Sequence, residues 1–244
     1  MLKRWVAGAP DELIQRLQRD LRRKLQTNPL CWIDGPRGVV PLRFSAKQEE
    51  AWTLQQRVKL CGFLAGNRSG KSIWAACRVA ETLLGIPRAQ WWRLPRNPRH
   101  WPLGPPRLVW AVTVSYEKSR DTQQRHIWQR IPQALFTSKW HAKQGFAQNA
   151  VELVNGSRVI FKTHEQALRT FEGDPIDLAW IDETIRTEHF LALLPRTVDY
   201  AAPIIWSTIP DDAFLEDLFV RRELDPETRD VIPADQIGYV AATM

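Results

Sequence analysis

The sequence predicts an α/β fold with a mostly parallel central sheet flanked by helices, and three observations predict it. Short apolar runs at 58–64, 107–114, 177–181 and 203–206 alternate with helical segments. These runs are mostly apolar, with their few polar residues near the ends, as suits strands covered on both faces. The first of them feeds a glycine-bearing loop and then a helix, and the third ends in two adjacent carboxylates.

Residues 11–27 place Leu13, Leu17, Leu21 and Leu25 four apart among basic residues. That spacing predicts an amphipathic helix laying one stripe on a core, with Asp11 after Pro10 as its cap. A second helix is expected over 46–57. Helical spacing of Ile73, Ala76, Val79, Ala80 and Leu83 predicts a third over 72–84. Six prolines within 86–107 exclude regular structure there and predict a long surface loop. The loop mixes Trp91, Trp92, Arg93, Arg96, Arg99, Trp101 and Arg107. Those residue types suit phosphate and base contacts, or indoles that pin the loop to the core. A polar helix should run from the strand at 107–114 to about Ile131. Alternation over 151–162 around Asn155-Gly156 predicts a hairpin with a tight primed turn.

The chain has 244 residues, 44% of them hydrophobic, which suits one large domain with a sizeable core. No apolar run is long enough for a membrane span, and no signal peptide is expected. Cys31, Cys61 and Cys77 are odd in number and lack close pairing, so buried thiols in a reducing compartment are expected. His141 and His164 show no metal-ligand spacing. The net charge of +7 favours an anionic partner such as nucleic acid.

Ala65-Gly66-Asn67-Arg68-Ser69-Gly70-Lys71-Ser72 fits the phosphate-loop pattern, with alanine at its first position. A loop with little side-chain bulk turns its N–H groups toward phosphate oxygens, and the following helix adds its dipole. Lys71 is expected to meet the β- and γ-phosphates of ATP, and Ser72 to ligate Mg²⁺. Asp182 would hold the Mg²⁺ water shell, while Glu183 would polarise the attacking water. The strand and helix between these motifs, with glutamate next to aspartate, fit the additional-strand, catalytic-glutamate class of P-loop NTPases.

Four segments together resemble the ATPase domain of a tailed-phage large terminase. Phe44-Ser45-Ala46-Lys47-Gln48 resembles that family's adenine-recognising glutamine motif, and AGNRSGKS its Walker A loop. VELVNGSRVIFKT followed by FEGDPIDLAWIDE resembles the run into Walker B and the catalytic glutamate. Ser207-Thr208-Ile209-Pro210 resembles the motif that senses hydrolysis, which makes Ser207 and Thr208 coupling candidates. Asn67 fills the place where family members often carry a basic residue. Glu172-Gly173 replaces the family's Arg-Gly, with Arg169 upstream.

The resemblance implies a motor that drives double-stranded DNA into a capsid, acting as a homo-oligomeric ring in the cytoplasm of the infected bacterial host. Portal and small terminase subunit would be its partners. Arg169, then Arg158, is the preferred arginine for insertion at a neighbour's γ-phosphate. The expected organisation is one ATPase domain: an adenine-side region at 1–57, a P-loop core at 58–210, and the start of a lid or linker at 211–244. The family's nuclease domain is not expected within these residues. A helicase-like DNA-dependent ATPase and a nucleotide-binding assembly module are the alternatives.

Overall fold

A computed structural model describes residues 11–35, 38–210, 213–225 and 230–242. Near the N-terminus, β1 (Trp32–Gly35) and β2 (Gly38–Pro41) form a small antiparallel hairpin. Six strands follow: β3 (Leu60–Ala65), β4 (Leu108–Thr113), β5 (Ala150–Glu152), β6 (Arg158–Thr163), β7 (Leu178–Asp182) and β8 (Ile204–Thr208). A second small hairpin joins β9 (Glu223–Asp225) to β10 (Asp230–Val231), and β11 (Ile237–Ala242) comes last. Seven of these strands make one sheet in the order β11-β3-β8-β7-β4-β6-β5. All its neighbours pair parallel except edge strand β5, which runs antiparallel to β6.

Residue parity along these strands divides the core. Phe63, Val109, Ala111, Trp180 and Ile205 face one cluster, with Trp74, Val79 and Leu83 from the helix after the loop. Trp110, Val112, Ile181, Ile204 and Trp206 face the other, with Phe190 and Phe219. Alternate side chains of a strand point to opposite faces, so covering both faces requires unbroken apolar runs.

Helix α1 spans Asp11–Thr27. Helices α2 (Ala46–Gln55) and α3 (Lys71–Leu84) belong to the first layer. The next, α4, runs over residues 116–130 with a π-helical middle at Arg120–Gln124. Opposite them lie α5 (Thr187–Leu193) and α6 (residues 213–221). Residues 237–242, from the segment assigned by sequence to the start of a lid or linker, pair as an edge strand with the whole of β3.

Four expectations are corrected. Helix α1 forms, but its main contacts among the described elements are with the β1–β2 hairpin; Leu17, Leu21 and Leu25 stay half-buried and Leu13 is 45% exposed. The capping role of Asp11 lies outside the described side chains. The loop at 86–107 carries two short 3₁₀ turns, Arg88–Arg93 and Pro98–His100, the second started by a proline, which a first helical turn tolerates. Trp91 and Trp101 pin it by burying their rings in the core, their indoles donating within the loop to Ile86 O and Pro95 O, while Trp92, Arg93, Arg96 and Arg99 stay exposed.

The β5–β6 turn is not of the primed type. Only Gly156 (φ +80°) is left-handed there, following a turn closed by its N–H on Leu153 O. The Asn155 amide instead donates to Leu83 O and Gly104 O, which docks the hairpin tip on the end of α3. Finally, a strand does lie between the two motif strands in space, as the additional-strand class requires, but it is β8; β4, which separates the motifs in sequence, lies beyond β7.

Candidate nucleotide site

Parallel strands bring their carboxyl ends to one edge, and the candidate residues collect there. Gly70 takes the left-handed conformation (φ +84°) that lets β3 turn into α3, and no side chain caps the helix. The first amides of α3 therefore point out of the loop without a side-chain acceptor, the arrangement that binds anions. Arg68 is also left-handed (φ +64°), and with Asn67 it is exposed. The Ser69 hydroxyl is buried without a partner. The Lys71 ammonium donates to Ala65 O and, at 2.8 Å, to Gly66 O. Burial pulls its pKa below the usual lysine value, against the pull of Asp182 and Glu183.

Asp182 ends β7 beside Ser207 of β8, and both face the α3 side of the sheet. The Ser207 hydroxyl donates to Asp182 Oδ1 at 2.5 Å and accepts the Trp180 indole N–H at 2.9 Å. Burial pushes the Asp182 carboxyl up to about 6; the Ser207 bond, Lys118 and Lys71 oppose that shift, and Glu183 adds to it. Glu183 stands at φ +65°, its N–H donating to Ser207 O and its carbonyl accepting the Trp206 indole at 2.6 Å. Lys118 Nζ lies 2.6 Å from its Oε1.

A cavity of about 360 Å³ is lined by residues 67–73, Asp182, Glu183, Ser207 and Thr208, with Lys118, Thr122 and His126 from α4. Burial, then Arg130 and Arg125, lowers the His126 pKa to about 4, so this imidazole is neutral at ordinary pH. The candidate residues from Asn67 to Ser72, the acidic pair and Ser207-Thr208 thus share one cavity. Ala65 and Gly66 lie just behind, as acceptors for Lys71.

Three candidates stand apart. Gln48 is buried: its carbonyl accepts the Ser45 N–H, and its amide donates to Gly70 O at 3.0 Å. It is neither solvated nor turned to the cavity; it completes a capping box for α2 and braces the loop. Arg169 sits exposed on the 3₁₀ turn Leu168–Phe171, and Arg158 begins β6, at the opposite edge of the sheet, 4.0 Å from Glu152. Neither arginine lines the cavity.

Lys118 and Thr122 were missed by sequence reasoning. The available signal was position alone: the first turn after β4 falls at the carboxyl edge, where ligands of parallel sheets bind.

The profile described as "Terminase large subunit, T4likevirus-type, N-terminal" matches residues 62–210. The chain belongs to this family. The terminase domain also resembles solved structures at low identity, and these show the fold. It matches the HK97 bacteriophage large terminase with TM-score 0.58 and 12% identity, over 90% of this chain and 43% of that one. The large terminase of a thermophilic bacteriophage matches with TM-score 0.54 and 10% identity, over 83% and 46%. An ADP complex of that thermophilic phage protein matches with TM-score 0.53 and 12% identity, over 82% and 45%. The terminase domain therefore spans less than half the length of these relatives. No curated sequence matches it significantly. Among its described residues, no helix is long and apolar enough to cross a membrane.

The donor set fits a magnesium nucleotide. An orphaned buried hydroxyl, uncapped helix amides and an ammonium suit phosphate oxygens. Among the described residues no group of three or more His, Cys, Asp and Glu could hold a metal alone. A cation at Asp182 would therefore share its shell with Ser72, water and phosphate, as magnesium commonly does.

Proposed function

We propose that this terminase domain hydrolyses ATP and couples hydrolysis to translocation of double-stranded DNA into a capsid. The observation that carries the reading is the single cavity joining the phosphate loop to Asp182 and Glu183. The ADP complex of the thermophilic phage large terminase, which has the same fold, supports a nucleotide there.

The N–H groups at the start of α3 and the Ser69 hydroxyl receive phosphate oxygens. Lys71 exchanges its bonds to Ala65 O and Gly66 O for the terminal phosphates. Ser72 and Asp182 would hold Mg²⁺, which when bound would neutralise charge on the phosphate oxygens. Glu183 orients water toward the γ-phosphate and accepts its proton. Because the Ser207 hydroxyl bonds Asp182, a change in ligation at Asp182 is felt on β8, which supports Ser207 and neighbouring Thr208 as coupling residues. Gln48 acts on the nucleotide indirectly, through its brace on Gly70 of the phosphate loop.

Phosphoryl transfer needs charge neutralisation beyond Lys71 and Mg²⁺. Arg169, exposed on a turn away from its own cavity, is suited to serve a neighbour in a homo-oligomeric ring, with Arg158 second. Portal, small terminase subunit and the host cytoplasm follow from the packaging role. The net charge of +7 supports a polyanionic track.

Glu183→Gln tests the reading. Phosphate release should fall by about 10²-fold or more, while ATP binding is retained. Turnover at the wild-type rate would overturn it.

A further inference from the structure

The terminase assignment gives Glu183 a task but does not say what aims its side chain. The backbone of Glu183 is held on both sides, by Ser207 O and by the Trp206 indole. Only side-chain torsions remain free, and the side chain is 43% exposed. A half-exposed glutamate with a free head occupies several rotamers. Here the head is not free: Lys118 Nζ holds Oε1 at 2.6 Å.

Lys118 is itself well anchored. Its N–H donates to the Ser115 hydroxyl at the start of α4. One π-turn later, the Gln123 amide donates to Val112 O of β4 and Trp180 O of β7 at 3.1 and 3.3 Å. α4 is thus fastened to the strand that ends in Asp182, and π-turns of this kind often mark functional sites. Lys71 is committed to loop carbonyls, so among the described residues the cation bonded to Glu183 is Lys118.

We propose that Lys118 is a positioning residue that fixes the Glu183 carboxylate, so that Oε2 can orient the attacking water. The bond to Glu183 keeps the lysine protonated, raising its pKa above the usual value. An exposed ion pair of this length elsewhere would contribute little. Its place in the wall of the phosphate cavity gives it a role. The inference rests on Glu183 being the water-orienting group.

Steady-state ATPase of the full chain with duplex DNA tests it. Lys118→Ala should lower kcat by about 10- to 100-fold, the usual cost of misplacing a reacting group by about 1 Å. KM for ATP should stay within about twofold, since the interaction serves the transition state alone. Lys118→Arg should recover a large part of the loss. Lys118→Ala added to Glu183→Gln should cost nothing further, because the two act as a unit. Wild-type or increased kcat in Lys118→Ala would overturn the proposal. A loss carried by KM would overturn it too, by making Lys118 a direct phosphate ligand. An active Glu183→Gln would instead refute the underlying assignment.

Discussion

Asp182→Asn separates what this carboxylate does for the fold from what it does for the nucleotide. Asp182 is 3% exposed, and its folded pKa of about 6 lies above the ordinary aspartate value of 3.8. A gap of about two units corresponds to about 3 kcal/mol. Because the folded pKa is the higher one, the protonated form favours folding. That contribution is complete below about pH 4 and is lost as pH rises through about 6. Asparagine is similar in shape, and its oxygen can still accept the Ser207 hydroxyl, so the substitution removes the buried charge and little else. In chelator at about pH 8, the variant should be more stable by about 1–3 kcal/mol, a rise in Tm of roughly 3–8 °C for a chain of this size. The advantage should shrink steadily between about pH 6 and pH 4. Magnesium and ATP should then raise the Tm of the wild type and raise that of the variant much less. Thermal melts across pH read all of this. A variant less stable than wild type at about pH 8, or one whose advantage ignores pH, would refute the reasoning.

Three further substitutions probe the loop and the subunit contact. A Cβ on Gly70 would meet Gln48 Nε2 at 2.5 Å, at a φ of +84°. Gly70→Ala should therefore cost about 2–3 kcal/mol from the left-handed backbone and the lost Gln48 bond, read by denaturant unfolding, and should weaken ATP binding. Arg169→Ala should lower phosphate release at high protein concentration by tenfold or more, toward the ~10³ that a trans arginine supplies, with ATP binding intact. Arg158→Ala should do much less, and the reverse order would exchange the two roles.

Local pattern made much of this legible. Unbroken apolar strands announced a sheet covered on both faces, and Gly66, Gly70 and Lys71 announced the strand–loop–helix unit. Asp182 was found because it ends such a strand. What failed depends on contacts distant in sequence. Nothing local shows that β8 lies between β3 and β7, or that the Ser207 hydroxyl will reach Asp182. Gln48 carried a readable signal, since Ser45 three residues earlier makes a capping box, yet its hold on Gly70 crosses 22 residues. Lys118 looks like any basic residue in a first helical turn, and only the packing of α4 on β7 makes it Glu183's partner. The leucines of α1 showed the right period, but period alone cannot say what covers a stripe.

The central claim is that this site hydrolyses ATP in step with duplex DNA and a neighbouring subunit. Phosphate release per chain, measured against protein concentration with and without duplex DNA, tests it most directly. The account predicts a rate that climbs with concentration and climbs further with DNA, and that is lost in Glu183→Gln. A rate that is independent of both, or no phosphate release at any concentration, would contradict it.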